Sequence, residues 1–325
     1  MKKTVEWYQK AAENKDTIAM CLIGMCYEEG DGVTKDLAEA AKWYREAAEN
    51  GHVEAMFIIG VWYEDGYGVT KDLEEAVKWY RKAAKNGNAD AMHKLGLCYY
   101  KGKGVEKDLK EAIKWYQKAA ENEDINAMYK LGIGYYRGIG VEKDLEKSAR
   151  WFQRAAENGH ANAMFVLGMC YECGDGTEED SMEAIKWFQK AAENGNMDAM
   201  CSLGMCYEYG EGVEEDWEEA VKCYQKAAEN ENADAMYRLG LCYAVGAGIE
   251  KDLEKAIKWY QRAVEHGHIE AIYNLGICYY NGEGVTQNLE KAVRLFQKAA
   301  ENGHEEAKIL LQKLLVSSSV RKSII

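Results

Sequence analysis

Cys170-x-x-Cys173 and the histidines His52, His160, His268 and His304 are the residues whose types and spacing could do chemistry. A structural zinc site needs four such ligands, and no second Cys-x-x-Cys pair is suitably placed, so the sequence predicts no metal. The four histidines recur at multiples of 36 residues, in one loop position. That recurrence predicts turn chemistry rather than catalysis, while His93 and His266 are isolated. Gly102-Lys103-Gly104 has the outline of a phosphate cradle, but it lacks the following Lys-Ser/Thr and recurs throughout the chain as a connector. No Ser-His-Asp set or carboxylate pair separates itself from these recurrences. The sequence therefore assigns no catalytic residue, no cofactor and no metal ligand, and predicts a protein that is not an enzyme.

Ten cysteines invite a disulfide reading. Six of them, Cys26, Cys98, Cys170, Cys206, Cys242 and Cys278, occupy one recurring position. If each sits on an equivalent helix, neighbours lie about 8–10 Å apart, too far for a disulfide. Reduced thiols packed as small apolar groups are expected, which fits a cytoplasmic location.

The elements that position these residues follow from the period. Alanine recurs every 36 residues from Ala19 to Ala307, and glycine from Gly24 to Gly276, with no insertion or deletion between residues 17 and 304. Eight units fit that span. Each predicts two helices, 17–29 and 37–49 in the first unit. Proline is absent and 30% of residues are charged, which favours helices. Asp36 with Glu39, and Asp72 with Glu75, predict capping boxes at the second helix. Asn50-Gly51 and its equivalents predict a left-handed C-terminal cap. Glu123 and Glu231 replace that glycine, predicting weaker ends. Gly24 and its equivalents sit inside the first helix, where glycine costs about 1 kcal/mol relative to alanine. The expected compensation is close approach of the second helix through Ala40, Ala47 and Ala48, with Trp43 and Tyr44 supplying core bulk. Residues 1–16 form a lone second-type helix and 305–316 a lone first-type helix. Both read as end caps around the repeats at 17–304, followed by a flexible tail, 317–325.

The unit seen in Ala91-Met92, Leu95-Gly96, Tyr99, Gly102, Gly104-Val105, Asp108, Ala112, Trp115-Tyr116 and Ala119-Ala120 closely resembles the Sel-1-like repeat, a relative of the tetratricopeptide repeat. The resemblance covers almost the whole chain. It implies an all-α fold, a right-handed α/α superhelical solenoid, acting as a protein–protein interaction scaffold or adaptor. Cysteine-rich relatives have been credited with weak hydrolase activity, the alternative function the resemblance carries. That branch links its helices through cysteines where this chain has alanine at Ala48 and Ala55.

Variation between units places the expected binding surface. Positions 18, 22 and 29 of the first helix vary freely, while position 25 is always apolar and is expected to pack against neighbouring first helices. First helices line the concave face in related solenoids, so the variable stripe is expected to line the groove. It includes Ile58, Val166, Tyr209 and Arg238, and turns basic in the third and fourth units with Lys94, Lys101, Lys130 and Arg137. Against a net charge of −14 these four predict a site for an acidic or phosphorylated segment of a partner protein. The same charge argues against nucleic acid as a partner, and no apolar run is long enough to cross a bilayer. The C-terminal Ser323-Ile324-Ile325 fits a loose pattern for capture of a C-terminal carboxylate.

Overall fold

The computed structural model describes residues 2–316; the tail at 317–325, with its Ser-x-Ile ending, lies outside the described residues. The described residues form eighteen α-helices and no strand, in two units, Met1–His160 and Ala161–Ile325. The first unit holds α1 (Lys2–Glu13), α2 (Thr17–Glu29), α3 (Leu37–Glu49), α4 (Val53–Asp65), α5 (Leu73–Lys85), α6 (Ala89–Lys101), α7 (Leu109–Glu121), α8 (Ile125–Arg137) and α9 (Leu145–Glu157). The second holds α10 (Ala161–Cys173), α11 (Ser181–Glu193), α12 (Met197–Tyr209), α13 (Trp217–Glu229), α14 (Ala233–Val245), α15 (Leu253–Glu265), α16 (Ile269–Asn281), α17 (Leu289–Glu301) and α18 (Glu305–Val316). Within each unit, successive helices pack on the ones before and after. This is the all-α solenoid class that the 36-residue period predicts.

Local chemistry sets the helix ends. Asp36 Oδ1 accepts from the backbone N–H groups of Ala38 and Glu39, both at 3.0 Å, and so caps α3. The expected capping box is only half formed. The Asp36 N–H donates to the Tyr27 carbonyl at 2.9 Å, which leaves Glu39 free to pair with Lys42 at 2.6 Å. The same substitution of a carbonyl for the expected glutamate occurs at Asp72 and Asp108. At the other end Gly51 takes a φ of 101°, as expected, while Glu123 and Glu231 are forced to 65° and 66°.

The helix-interior glycines do allow close approach, first to rings and also to the expected Ala40 position, since a Cβ on Gly60 or Gly168 would lie 3.4 or 3.2 Å from the carbonyl oxygen of Ala76 or Ala184. A Cβ on Gly96 would lie 2.5 Å from the Tyr116 ring, and one on Gly24 would lie 2.8 Å from Tyr44. Tyr44, Tyr80 and Phe152 are almost wholly buried by this contact. The Gly-x-Gly connector is likewise a packing device. A Cβ on Gly104 would lie 2.1 Å from the Leu73 carbonyl oxygen, so the loop seats directly on the start of the preceding second-type helix, α5.

His52, His268 and His304 cap the N-termini of first-type helices, and His268 and His304 also reach back to the first-type helix before. His268 Nδ1 accepts from the Ala271 N–H at 3.1 Å, which leaves the proton on Nε2, 3.1 Å from Asp234 of α14. His304 makes the same two contacts, to Ala307 at 3.3 Å and Glu270 at 3.0 Å. Its ring stacks on Tyr273 at 4.2 Å. Position 25 divides: Met25 and Met169 are exposed, while Val61, Leu97, Ile133, Met205, Leu241 and Ile277 are half-buried.

Candidate functional site

The most distinctive surface in the first unit is a cavity of about 300 Å³ where α6, α7 and α8 meet. Its walls are apolar, and Lys101, Lys130 and Arg137 stand on it. Three departures from the repeat create it. Gly134 occupies the position held by Cys98 in the preceding unit and by Trp62 in the one before that. Without a side chain there, Ile113 of α7 moves in, to within 2.5 Å of where a Cβ would be. Tyr100 replaces the glutamate found at Glu64 and Glu208, and Lys101 and Arg137 end α6 and α8 with cations.

The Tyr100 substitution decides which cations remain unbalanced. Lys94 Nζ lies 2.9 Å from Glu64, which also accepts from the Tyr80 hydroxyl at 2.6 Å. Burial pushes the Glu64 carboxyl up, but the Tyr80 and Lys94 hydrogen bonds outweigh it and hold the group below its ordinary value. Arg238 repeats this arrangement, 3.2 Å from Glu208, which accepts from the Tyr224 hydroxyl. Burial opposes the Arg238 charge, yet Tyr209, Tyr224 and Glu208 keep it more firmly protonated than usual. Lys94 and Arg238 are thus inter-helix struts with their charge already met. Lys130 has no such carboxylate, because Tyr100 stands where it would be; its ammonium sits 5.7 Å from the Tyr129 ring. Among the described residues, Lys101, Lys130 and Arg137 form no ion pair.

Within each unit the stripe residues stand in different surroundings. Lys101, Lys130 and Arg137 converge on the cavity, and Lys94 is withdrawn onto Glu64. Ile58 is half-buried on α4 at the register of Lys94. In the second unit Val166 is half-buried on α10 and Tyr209 exposed at the end of α12. Arg238 faces a separate cavity of about 660 Å³ beside Asp198, Asp234, His268 and Glu270. Stripe reasoning missed Gly134, Tyr100 and Ile113. The signal for the first two was present, since Gly134 stands where six units have cysteine and Tyr100 where four have glutamate.

The thiols are poor nucleophiles. Burial pushes Cys170, Cys201 and Cys206 up to about 12, and Cys21, Cys98 and Cys242 to about 11. All ten cysteines are unpaired. Among the described residues, no group of three His, Cys, Asp or Glu side chains is placed to hold a metal ion, and no helix is long and apolar enough to cross a membrane.

The model of the family described as the Sel1 repeat matches residues 1–16, 17–52, 53–88, 89–124, 125–160, 161–196, 198–232, 233–268 and 269–304. Among solved structures, the chain is similar to c5321, described as a protective antigen of uropathogenic Escherichia coli strains displaying an SLR fold. The two share 34% identity at a TM-score of 0.87, over 94% of this chain and 66% of that one. This chain therefore spans just under two thirds of that protein's length. A Sel1 repeat protein from Oxalobacter formigenes is 31% identical at a TM-score of 0.77, over 95% of this chain and 89% of that one. Among curated proteins, no match is found.

Proposed function

The chain belongs to the Sel1 repeat family, and from that membership we propose that it is a non-catalytic adaptor that binds an acidic or phosphorylated segment of a partner protein. One observation carries this reading: Lys101, Lys130 and Arg137 converge on one cavity with no carboxylate to meet them, in a chain of net charge −14. A partner anion would gain charge-assisted hydrogen bonds there, Arg137 being able to bind a carboxylate or phosphate through two parallel bonds. The proposed site is narrower than the basic stripe, because Lys94 is already occupied by Glu64. Ten unpaired cysteines support a cytoplasmic setting. We assign residues 1–16 and 305–316 the role of end caps; Ala307 and Leu314 of α18 are buried against Ile272 and Phe296.

The test is binding of synthetic acidic and phosphoserine peptides, followed by fluorescence anisotropy. Replacing Lys101, Lys130 and Arg137 together by glutamate should abolish it. Replacing the exposed Lys42, Lys78 and Lys114 in the same way should leave it intact. Equal loss in both sets, or in neither, would remove the support for this site.

A further inference from the structure

The cavity that carries the three cations is walled by Leu97, Leu109, Ile113, Tyr116, Ile133 and Ile139. A ligand that met only the charges would leave those walls wet. One that was wholly apolar would strip water from three cations and return nothing. Resting on the binding reading above, we infer that the partner segment inserts one large aliphatic or aromatic side chain into this cavity, with acidic residues on both sides of it in an extended peptide.

Size and charge spacing favour that occupant. About 300 Å³ is at the small end of ligand pockets, so it suits one side chain better than a long acyl chain. Lys130 and Arg137 are seven residues apart on α8, about 10 Å along the helix. A single carboxylate cannot serve both. An extended peptide covers that distance in about three residues, which places one anion near each cation with the apolar residue between them. Lys101, at the end of α6, supplies a third contact on the facing helix.

The chain itself supplies a substitution that closes the cavity. Cys206 faces the register of Ile185 just as Gly134 faces Ile113, and Cys278 stands in the same relation to Ile257. The cysteine–isoleucine combination is therefore already accommodated twice in this fold. Gly134→Cys would fill the gap and drive the Ile113 Cδ1 atom outward into the remaining space, without touching a cation.

The experiment uses the full chain and acetylated, amidated peptides in a Gly-Ser background. One carries a central leucine bracketed by aspartates, a second has alanine for the leucine, and a third has lysines for the aspartates. Fluorescence anisotropy should show the leucine peptide binding about tenfold more tightly than the alanine peptide, equivalent to about 1.4 kcal/mol. Gly134→Cys should erase that difference and leave the alanine peptide unchanged. Equal binding of leucine and alanine peptides to the unaltered protein would overturn the anchor while leaving the acidic-segment reading in place, and this comparison needs no variant to fold. Equal binding of aspartate and lysine peptides would overturn both. Laurate binding that Gly134→Cys blocks, with no peptide binding, would also overturn the proposal.

Discussion

A carboxylate in this fold is stable or costly according to two other positions in the repeat, one 16 and one 30 residues further on. Glu64 has Tyr80 and Lys94 there, and Glu208 has Tyr224 and Arg238. Glu172 occupies the same place but meets Phe188 and Ser202. Burial first, and then the nearby Glu211, raise its carboxyl above the ordinary value. A raised acid binds its proton more tightly folded than unfolded. Stability therefore falls as pH rises through the raised pKa, and the penalty is complete above it. Glu172→Gln should raise the melting temperature at neutral pH, a gain that disappears in melts below the ordinary carboxylate range. At the glycine positions the reverse holds, because the native residue is already the best fit. Gly96→Ala would improve helix propensity by about 1 kcal/mol. It also places a Cβ 2.5 Å from the Tyr116 ring, and overpacking of this kind costs about 1–3 kcal/mol. The net effect should be a lower melting temperature. Thiol reactivity follows burial in the same way. With an aromatic disulfide reagent on the folded chain, Cys173 should react first and Cys201 and Cys206 only on unfolding.

At the scale of the element, the second-type helices from α3 to α15 start at an aspartate cap and α17 at Asn288, and each has a left-handed residue just beyond its end. Where that residue is Glu123, the backbone adopts a φ of 65° that an L side chain resists. Glu123→Gly should stabilise the end of α7 by about 1 kcal/mol, visible as slower amide exchange there. The opposite change, Gly87→Glu at the end of α5, should destabilise by a similar amount. The first-type helices depend on their caps for a second reason, since caps such as His268 and His304 also join one first-type helix to the next. In α18 the cap is His304, whose two ring nitrogens meet Ala307 of its own helix and Glu270 of α16. His304→Ala removes both contacts. The cap alone is worth about 1 kcal/mol, so the variant should release α18 at a lower temperature than the rest, read by limited proteolysis. His304→Asn should restore most of the loss, because Asn196 and Asn232 do the same work at equivalent positions.

For the whole molecule, a net charge of −14 repels an acidic partner at distance, so the three cations must act at short range. Salt shortens the range of charge interactions from about 10 Å at 0.1 M to about 3 Å at 1 M. Binding of the aspartate-bracketed leucine peptide should weaken by about tenfold over that interval, while the leucine-over-alanine preference persists. The sequence alone determined the repeat, the helix limits, the aspartate caps and the left-handed ends, because each of these is settled within a few residues of one chain segment. It also located the basic units, since a cation against an acidic repeat is visible without coordinates. Only tertiary structure decided the rest. Tyr27 displaced Glu39 from the expected capping box because a neighbouring helix carried its carbonyl to Asp36. Rings, with alanine carbonyls of the second helix beside them, filled the space left by the helix-interior glycines. Of the four basic residues, Lys94 was spent on Glu64, and Lys130 was left unpaired because Tyr100 holds the corresponding position. Those partners are 30 residues apart, on helices of successive repeats. A periodic pattern says which residues share a face, but which side chains meet across it is set by the packing of one helix on the next.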